Sequence, residues 1–343
     1  MRTNLDLNKH RRKSNSAIRK AAAKGKSGSS NYAKAVFPVI AALVICAALF
    51  MELNSRFFKI EGIPTWEEVF KTAELAQSSE KVEGDLTVHF IDVGQGDCEL
   101  VMSGTKSVLI DSGEKSYYSR VINYLKNQKV TRLDYVIVTH PHSDHAGGMS
   151  YILKEFDVGA LIMPKLSEKI TPTTSTYYNL LKTIESQNIA LQYAEPNKTY
   201  QLDGASIKIL SPLNDYNDLN NYSVAVKLVH GENSFLFTGD MEREAEADLL
   251  ASGADISARV LKVGHHGSST STSKDFLDKV NPQYAVIEVG SPNDYGHPHS
   301  QVMKRLENKN IEIYRTDLNG NIVFVSDGRI FDILKEENKN ADN

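Results

Sequence analysis

THPHSDHAGG, residues 139–148, follows directly on the apolar run Tyr135-Val136-Ile137-Val138 and gathers His140, His142, Asp144 and His145 within six residues. The whole chain has 343 residues and ten histidines, so three of them are concentrated here. An apolar run of that kind reads as a buried strand, with Gly147-Gly148 opening a helix beyond the loop. In a loop, side chains at i and i+2 can converge, and strand ends are where α/β proteins place ligands. Imidazole and carboxylate together suit zinc, manganese or iron. A solvated polar loop would account for one histidine but not for H-x-H-x-D-H. The donors exceed what one ion uses, which points to two adjacent ions.

Two ions need ligands from elsewhere, and three later or earlier strand ends carry them. FLFTGD (235–240) ends an apolar run on Asp240, placed to bridge two cations. VLKVGHHGS (260–268) ends another on the pair His265 and His266, and VLIDSG (108–113) ends a third on Asp111. Asp or Gly after a strand is ordinary turn punctuation. Four such ends, each with ligand-type residues, form a constellation.

Around these motifs the pattern predicts strands at 86–93, 97–102, 107–113, 134–139, 159–164, 205–210, 222–230, 233–240, 258–264 and 283–290, with two more near 311–315 and 321–326. Helices are predicted at 116–127, 241–251, 273–280 and 300–308. Antiparallel-looking hairpins give way to alternating strands and helices, and the sequence does this twice. Two mixed sheets covered by helices on their outer faces satisfy that order. The class is α/β (α+β).

The composition, 41% hydrophobic and 24% charged, is that of a globular chain. The net charge of −4 conceals an asymmetry. Residues 1–34 hold ten Lys and Arg against Asp6 alone, a charge of +9, so the remainder carries −13. Between the two lies AVFPVIAALVICAALFM (35–51), seventeen residues without a charge. At 1.5 Å per residue this spans about 25 Å, the short end for a membrane helix. A cleaved signal peptide is the rival reading, but its charged leader is normally short. The expected organisation is a basic, disordered cytoplasmic tail at 1–34 and a transmembrane signal anchor at 35–53. A stalk at 54–84 carries a short amphipathic helix over 65–77, opened by the capping box Thr65-Trp66-Glu67-Glu68. A hydrolase domain at 85–335 and a polar tail at 336–343 follow. The positive-inside bias places the domain outside the cell. Only Cys98 lies beyond the apolar run, so no disulfide can form within that outer part.

On these motifs the chain resembles the metallo-β-lactamase superfamily, with its four-layer αββα sandwich and dinuclear metal site. HFIDVGQGDCELV (89–101), LIDSG, THPHSDHAGG, NYSVAVKLVHGENSFLFTGD (221–240), LKVGHHGSS and YGHPHS (295–300) resemble more narrowly the outer domain of ComEC-type competence proteins. The resemblance implies that His140 and His142 hold a first metal. It implies that Asp144, His145 and one of His265 and His266, with His266 favoured, hold a second, and that Asp240 bridges them. Zinc and manganese both remain open. Asp144, His265 and His297 are implied as the residues nearest the chemistry, and Asp111 as the carboxylate that orients the histidine loop. Asp92, Gln95, Asp97, Asn221, Ser223 and Ser268 are expected behind the ligands or along the cleft. Many superfamily members supply a further histidine to the first metal; here that neighbourhood reads Leu219-Asn220-Asn221-Tyr222-Ser223.

The expected function is hydrolysis of a phosphodiester outside the membrane, with DNA the favoured substrate and competence the implied setting. A phosphocholine-decorated wall polymer, another small ester and a non-catalytic metal-bearing module are the alternatives. The acidic body is not the groove a polyanion would select, although Lys227, Lys262, Arg315 and Arg329 are candidates to line a channel.

Overall fold

In the computed structural model the described residues are 84–335. The expected basic tail, anchor, stalk helix and polar tail lie outside them. Among the described residues no helix is long and apolar enough to cross a membrane.

The first sheet opens with three antiparallel strands, β1 (Leu86–Phe90), β2 (Glu99–Ser103) and β3 (Lys106–Ile110). Helix α1 (Tyr118–Asn127) then carries the chain to β4 (Arg132–Ile137), parallel to β3. Helices α2 (Ser143–Ala146) and α3 (Met149–Glu155) lead to β5 (Asp157–Met163), and α4 (Ser175–Ser186) leads to β6 (Ala190–Tyr193); both strands are parallel additions.

The second sheet repeats the plan. Strands β7 (Thr199–Gln201), β8 (Ser206–Ile209), β9 (Val226–His230) and β10 (Asn233–Phe237) are antiparallel. Helices α5 (Arg243–Ala251), α6 (Lys274–Val280) and α7 (Ser300–Glu307) then alternate with the parallel strands β11 (Val260–Lys262), β12 (Tyr284–Ile287) and β13 (Glu312–Arg315). After the short α8 (Thr316–Asn319), β14 (Ile322–Ser326) and β15 (Phe331–Lys335) return to the first sheet, with β14 antiparallel to β1. The sheet orders are β15-β14-β1-β2-β3-β4-β5-β6 and β13-β12-β11-β10-β9-β8-β7.

Side chains alternate across a strand, so a strand buried on both faces feeds two cores. In β10, Phe235 and Phe237 enter the core between the sheets, while Leu236 enters the core under α5 and α6. In β3, Val108 and Ile110 join the inter-sheet core and Leu109 joins the core under α1 and α3. Phe90 of one sheet stacks on Phe237 of the other, ring centres 5.9 Å apart. Three cores between four layers make the αββα sandwich.

Several elements were not anticipated. The helix α4 and the strands β6, β7 and β15 carry weak patterns, because β6 is an exposed edge and β7 has only three residues. The predicted strand 86–93 ends at Phe90, and 107–113 ends at Ile110. Each chain leaves its sheet just before the residues that build the site.

Candidate metal centre

The loops after β3, β4, β10, β11 and β12 all leave the C-terminal ends of strands in or beside the parallel halves of the sheets, where open α/β sheets gather ligands. Asp111 leaves β3 with a left-handed backbone, φ 54°. Its carboxylate accepts the backbone N–H of Thr139 at 2.8 Å and the Thr139 hydroxyl, and lies 2.8 Å from Nδ1 of His145. The next sheet approaches at Gly239, φ 52°, where a Cβ would sit 2.9 Å from that of Thr139. A side chain there would push Asp240 away from the histidine loop.

His265 and His266 both adopt left-handed φ, 50° and 51°, which is uncommon for non-glycine residues and worth explaining at a functional loop. The turn splays the two rings, 75° apart in plane. His266 places Nδ1 2.9 Å from the carbonyl oxygen of Glu288 and 3.1 Å from Oδ1 of Asp97. Its Nε2 therefore faces inward, 3.3 Å from Oδ2 of Asp144 and 3.7 Å from Oδ1 of Asp240. His145 does the same from the other side, with Nε2 3.3 Å from Oδ2 of Asp240 and 3.8 Å from Asp144.

Asp144, His145, Asp240 and His266 thus present ligand atoms that all lie within 4.8 Å of one another. Donors 2.0–2.1 Å from a tetrahedral centre are about 3.3 Å apart, so these separations fit one ion. Nε2 of His145, Nε2 of His266 and Oδ1 of Asp240 are buried and make no hydrogen bond. Buried polar atoms are normally satisfied, and three unsatisfied ones pointing at one space fit a cation. The electrostatics agree. Burial opposes protonation of His266, yet Asp240 and Asp97 hold its pKa up at about 10. His145 is raised in the same way against its burial, by Asp240, Asp144 and Asp111. The field at this point favours positive charge.

His140 and His142 converge beside that group, with Nε2 and Nδ1 3.0 Å apart. Oδ2 of Asp240 stands 3.9 Å from Nε2 of His140. Burial, then the charge on His145, keeps His140 neutral, with its pKa well below the usual range. These three donors can hold a second ion, with Asp240 shared. Ser223 helps to set them, its hydroxyl 3.4 Å from Nδ1 of His140 and accepting the backbone N–H of Asp240.

His265 falls outside the four-donor group. Its Nδ1 lies 3.2 Å from Oε1 of Glu242, and its Nε2 is 3.6 Å from Oδ2 of Asp240. It lines a cleft of about 380 Å³ together with Gln95, Asp144, Asp240, Tyr295 and His297. Burial, then the neighbouring His266 and His265, lowers the His297 pKa to about 4, so its ring is uncharged at neutral pH. No Lys or Arg is among the described residues lining the cleft.

The remaining expected residues sit further back. Asp92 caps the Gly94 turn and pairs with Arg120 at 3.1 Å, away from the cleft. Asn221 accepts the backbone N–H groups of Glu242 and Ala245, so it steadies the start of α5. Ser268 pairs with the Thr270 hydroxyl. Of the basic residues expected in a channel, Lys262 is fully buried against Asp97, Lys227 pairs with Asp255 and Arg315 with Asp317. Each is held by a carboxylate, and none of the three lines the cleft.

Sequence reasoning passed over Glu242, Glu99 and Glu288 and misread Lys262. A signal existed for three of them: each is a lone charge inside an apolar strand run, ELV, VLKV and VIEV. In a strand buried on both faces such a charge must meet a partner.

Residues 91–290 match the family described as Metallo-beta-lactamase superfamily. The chain is similar to ComE operon protein 3 of Bacillus subtilis (strain 168), 32% identical over 71% of this chain and 33% of that protein. It is similar to competence protein ComA of Neisseria gonorrhoeae, 31% identical over 86% of this chain and 40% of that one. Recombination protein 2 of Haemophilus influenzae is 33% identical over 68% of this chain and 28% of its own length. The chain therefore spans well under half of the relatives it matches.

Proposed function

Because the chain belongs to the metallo-beta-lactamase superfamily, we propose that it is a dinuclear metal-dependent phosphodiesterase with DNA as its favoured substrate. The N-terminal apolar segment would hold it at the outer face of the cell membrane. The observation that carries the reading is the convergence of Asp144, His145, Asp240 and His266, with three orphaned polar atoms, on the floor of an open cleft. Relatives named as competence and recombination proteins favour DNA over other esters.

In this reading His140, His142 and Asp240 hold one ion, and Asp144, His145, Asp240 and His266 the other, zinc or manganese. Such a pair supplies Lewis acidity and a nucleophilic water at neutral pH. Their charge also accounts for a cleft without Lys or Arg, since an anion needs no further cation there. The protein's share is placement. Glu242 keeps the His265 ring turned toward Asp240, and neutral His297 offers an N–H to a phosphate oxygen. Asp144, half-buried at the cleft wall, sits where ligand and substrate space meet.

A phosphocholine-bearing wall polymer is the second reading. It is favoured by the lack of Lys and Arg among the described residues lining the cleft and by Tyr295, 64% exposed at its rim, whose face could receive a quaternary ammonium. The test supplies the purified chain with Zn²⁺ or Mn²⁺ and offers single-stranded DNA, bis(p-nitrophenyl) phosphate and p-nitrophenylphosphorylcholine. Turnover of the first two supports the proposal, and turnover of the third alone supports the second reading. No turnover of any, with metal bound, sinks both.

A further inference from the structure

We propose that Lys262 is a positioning residue for the ion assigned to Asp144, His145, Asp240 and His266, and that it acts through Asp97. This rests on the metal-dependent reading above.

Lys262 ends β11 with its side chain fully buried, three residues before His265. Its Nζ lies 2.7 Å from Oδ2 of Asp97 and donates to the Val263 carbonyl at 3.1 Å. Burying an ammonium is costly unless a close ion pair offsets it. A lysine retained in such a place therefore points to a local requirement for its charge. What it meets is a group of three buried carboxylates, Asp97, Glu99 and Glu288, whose oxygens lie within 4.8 Å of one another.

Asp97 is the link to the site. With Lys262 against Oδ2, its Oδ1 faces Nδ1 of His266 at 3.1 Å, and Oδ2 lies 3.8 Å from Nδ1 of His145. One carboxylate thus backs the outer nitrogens of both imidazoles whose inner nitrogens converge on Asp144 and Asp240. The backbone of Asp97 is tied to two loops of the site: its N–H donates to the Asp144 carbonyl of the histidine loop, and its carbonyl accepts from Gly113 of the loop after β3. Asp111 braces His145 alone. The Lys262–Asp97 pair thus backs both His266, from the second sheet, and the histidine loop of the first. Partners of this kind typically change metal affinity 10- to 100-fold when removed.

The full-length chain, stripped of metal, would be titrated with Mn²⁺ by calorimetry as wild type, Lys262→Met, Asp97→Asn and the double variant. Methionine keeps most of the stem volume and removes the charge. The expected result is two ions in the wild type. In Lys262→Met one of the two affinities falls about tenfold or more while the other is kept. Asp97→Asn should weaken the same ion, and the double variant should be no worse than the weaker single, because both act along one path. If Lys262→Met does not fold, the double variant carries the test, since it leaves no unpaired carboxylate at position 97. Unchanged affinities in a folded variant, or equal weakening of both ions, would overturn the inference. A wild type that binds fewer than two ions overturns the dinuclear reading instead.

Discussion

Oδ2 of Asp111 lies 2.8 Å from Nδ1 of His145, and neither residue reaches solvent. The carboxylate accepts, so the imidazole carries a proton on Nδ1 and turns Nε2 toward Asp240. Thr139 fixes the carboxylate in turn through its N–H and hydroxyl. In Asp111→Asn the amide can present an N–H to the ring and reverse that tautomer. The expected outcome is divalent-ion binding about 10- to 100-fold weaker, read by competition with a chelator, in a folded protein. Unchanged affinity would mean that another group sets the ring.

Asp240 is the carboxylate common to both donor sets. Its Oδ2 is 3.3 Å from His145 and 3.9 Å from His140, and its Oδ1 is 3.7 Å from His266. Asp240→Ala removes a donor from each set at once. Metal analysis after gel filtration should find no more than one ion per chain. Two ions retained would refute the shared role.

Glu242 separates the roles of the two adjacent histidines. Its Oε1 lies 3.2 Å from Nδ1 of His265 and accepts the Thr270 hydroxyl and the Asn220 amide. If His265 faces substrate, Glu242→Gln should lower kcat on bis(p-nitrophenyl) phosphate about tenfold with metal content unchanged. Loss of an ion in that variant would make His265 a ligand.

How far the sequence could lead is shown by the contrast between His145 and Lys262. The histidine loop, Asp240 and Asp111 each follow an apolar strand, so position on the chain already reported position in the sheet. The alternation of strands and helices likewise anticipated two mixed sheets, because each buried strand must feed a core on both faces. Lys262 in sequence alone is a candidate to line a channel, since charge is usually solvated. Its burial depends on Asp97, 165 residues away, and no local pattern announces a long-range pair. His265 and His266 were ambiguous for a different reason. Neighbours in sequence point apart only because both take left-handed φ, a conformation side-chain identity does not reveal. The weak element β6 was missed because an exposed edge strand has no buried face, and β7 because three residues are too few to show alternation.

His89 of β1, which belongs to none of the candidate ligand groups, is 4% exposed and bonded to the Tyr124 hydroxyl at 2.9 Å and the Thr87 hydroxyl at 2.8 Å. Burial lowers its pKa from 6.5 to about 4. Below pH 6.5 the unfolded chain takes up a proton that the folded ring refuses until about pH 4. The stability contributed by neutral His89 is therefore complete above 6.5 and is lost as pH falls through that window, to a total of about 3 kcal/mol. By pH 5.5 the loss should be about 1 kcal/mol. His89→Gln keeps hydrogen-bonding groups but cannot titrate, and it will be less stable than wild type at pH 7.5 because the amide packs less well. Urea unfolding of both proteins at pH 7.5 and 5.5 should show the gap between them narrowing by about 1 kcal/mol. Groups at the metal centre titrate alike in the two proteins, so they cancel in the comparison. Parallel stability curves would show that His89 takes up its proton without unfolding the pocket around it.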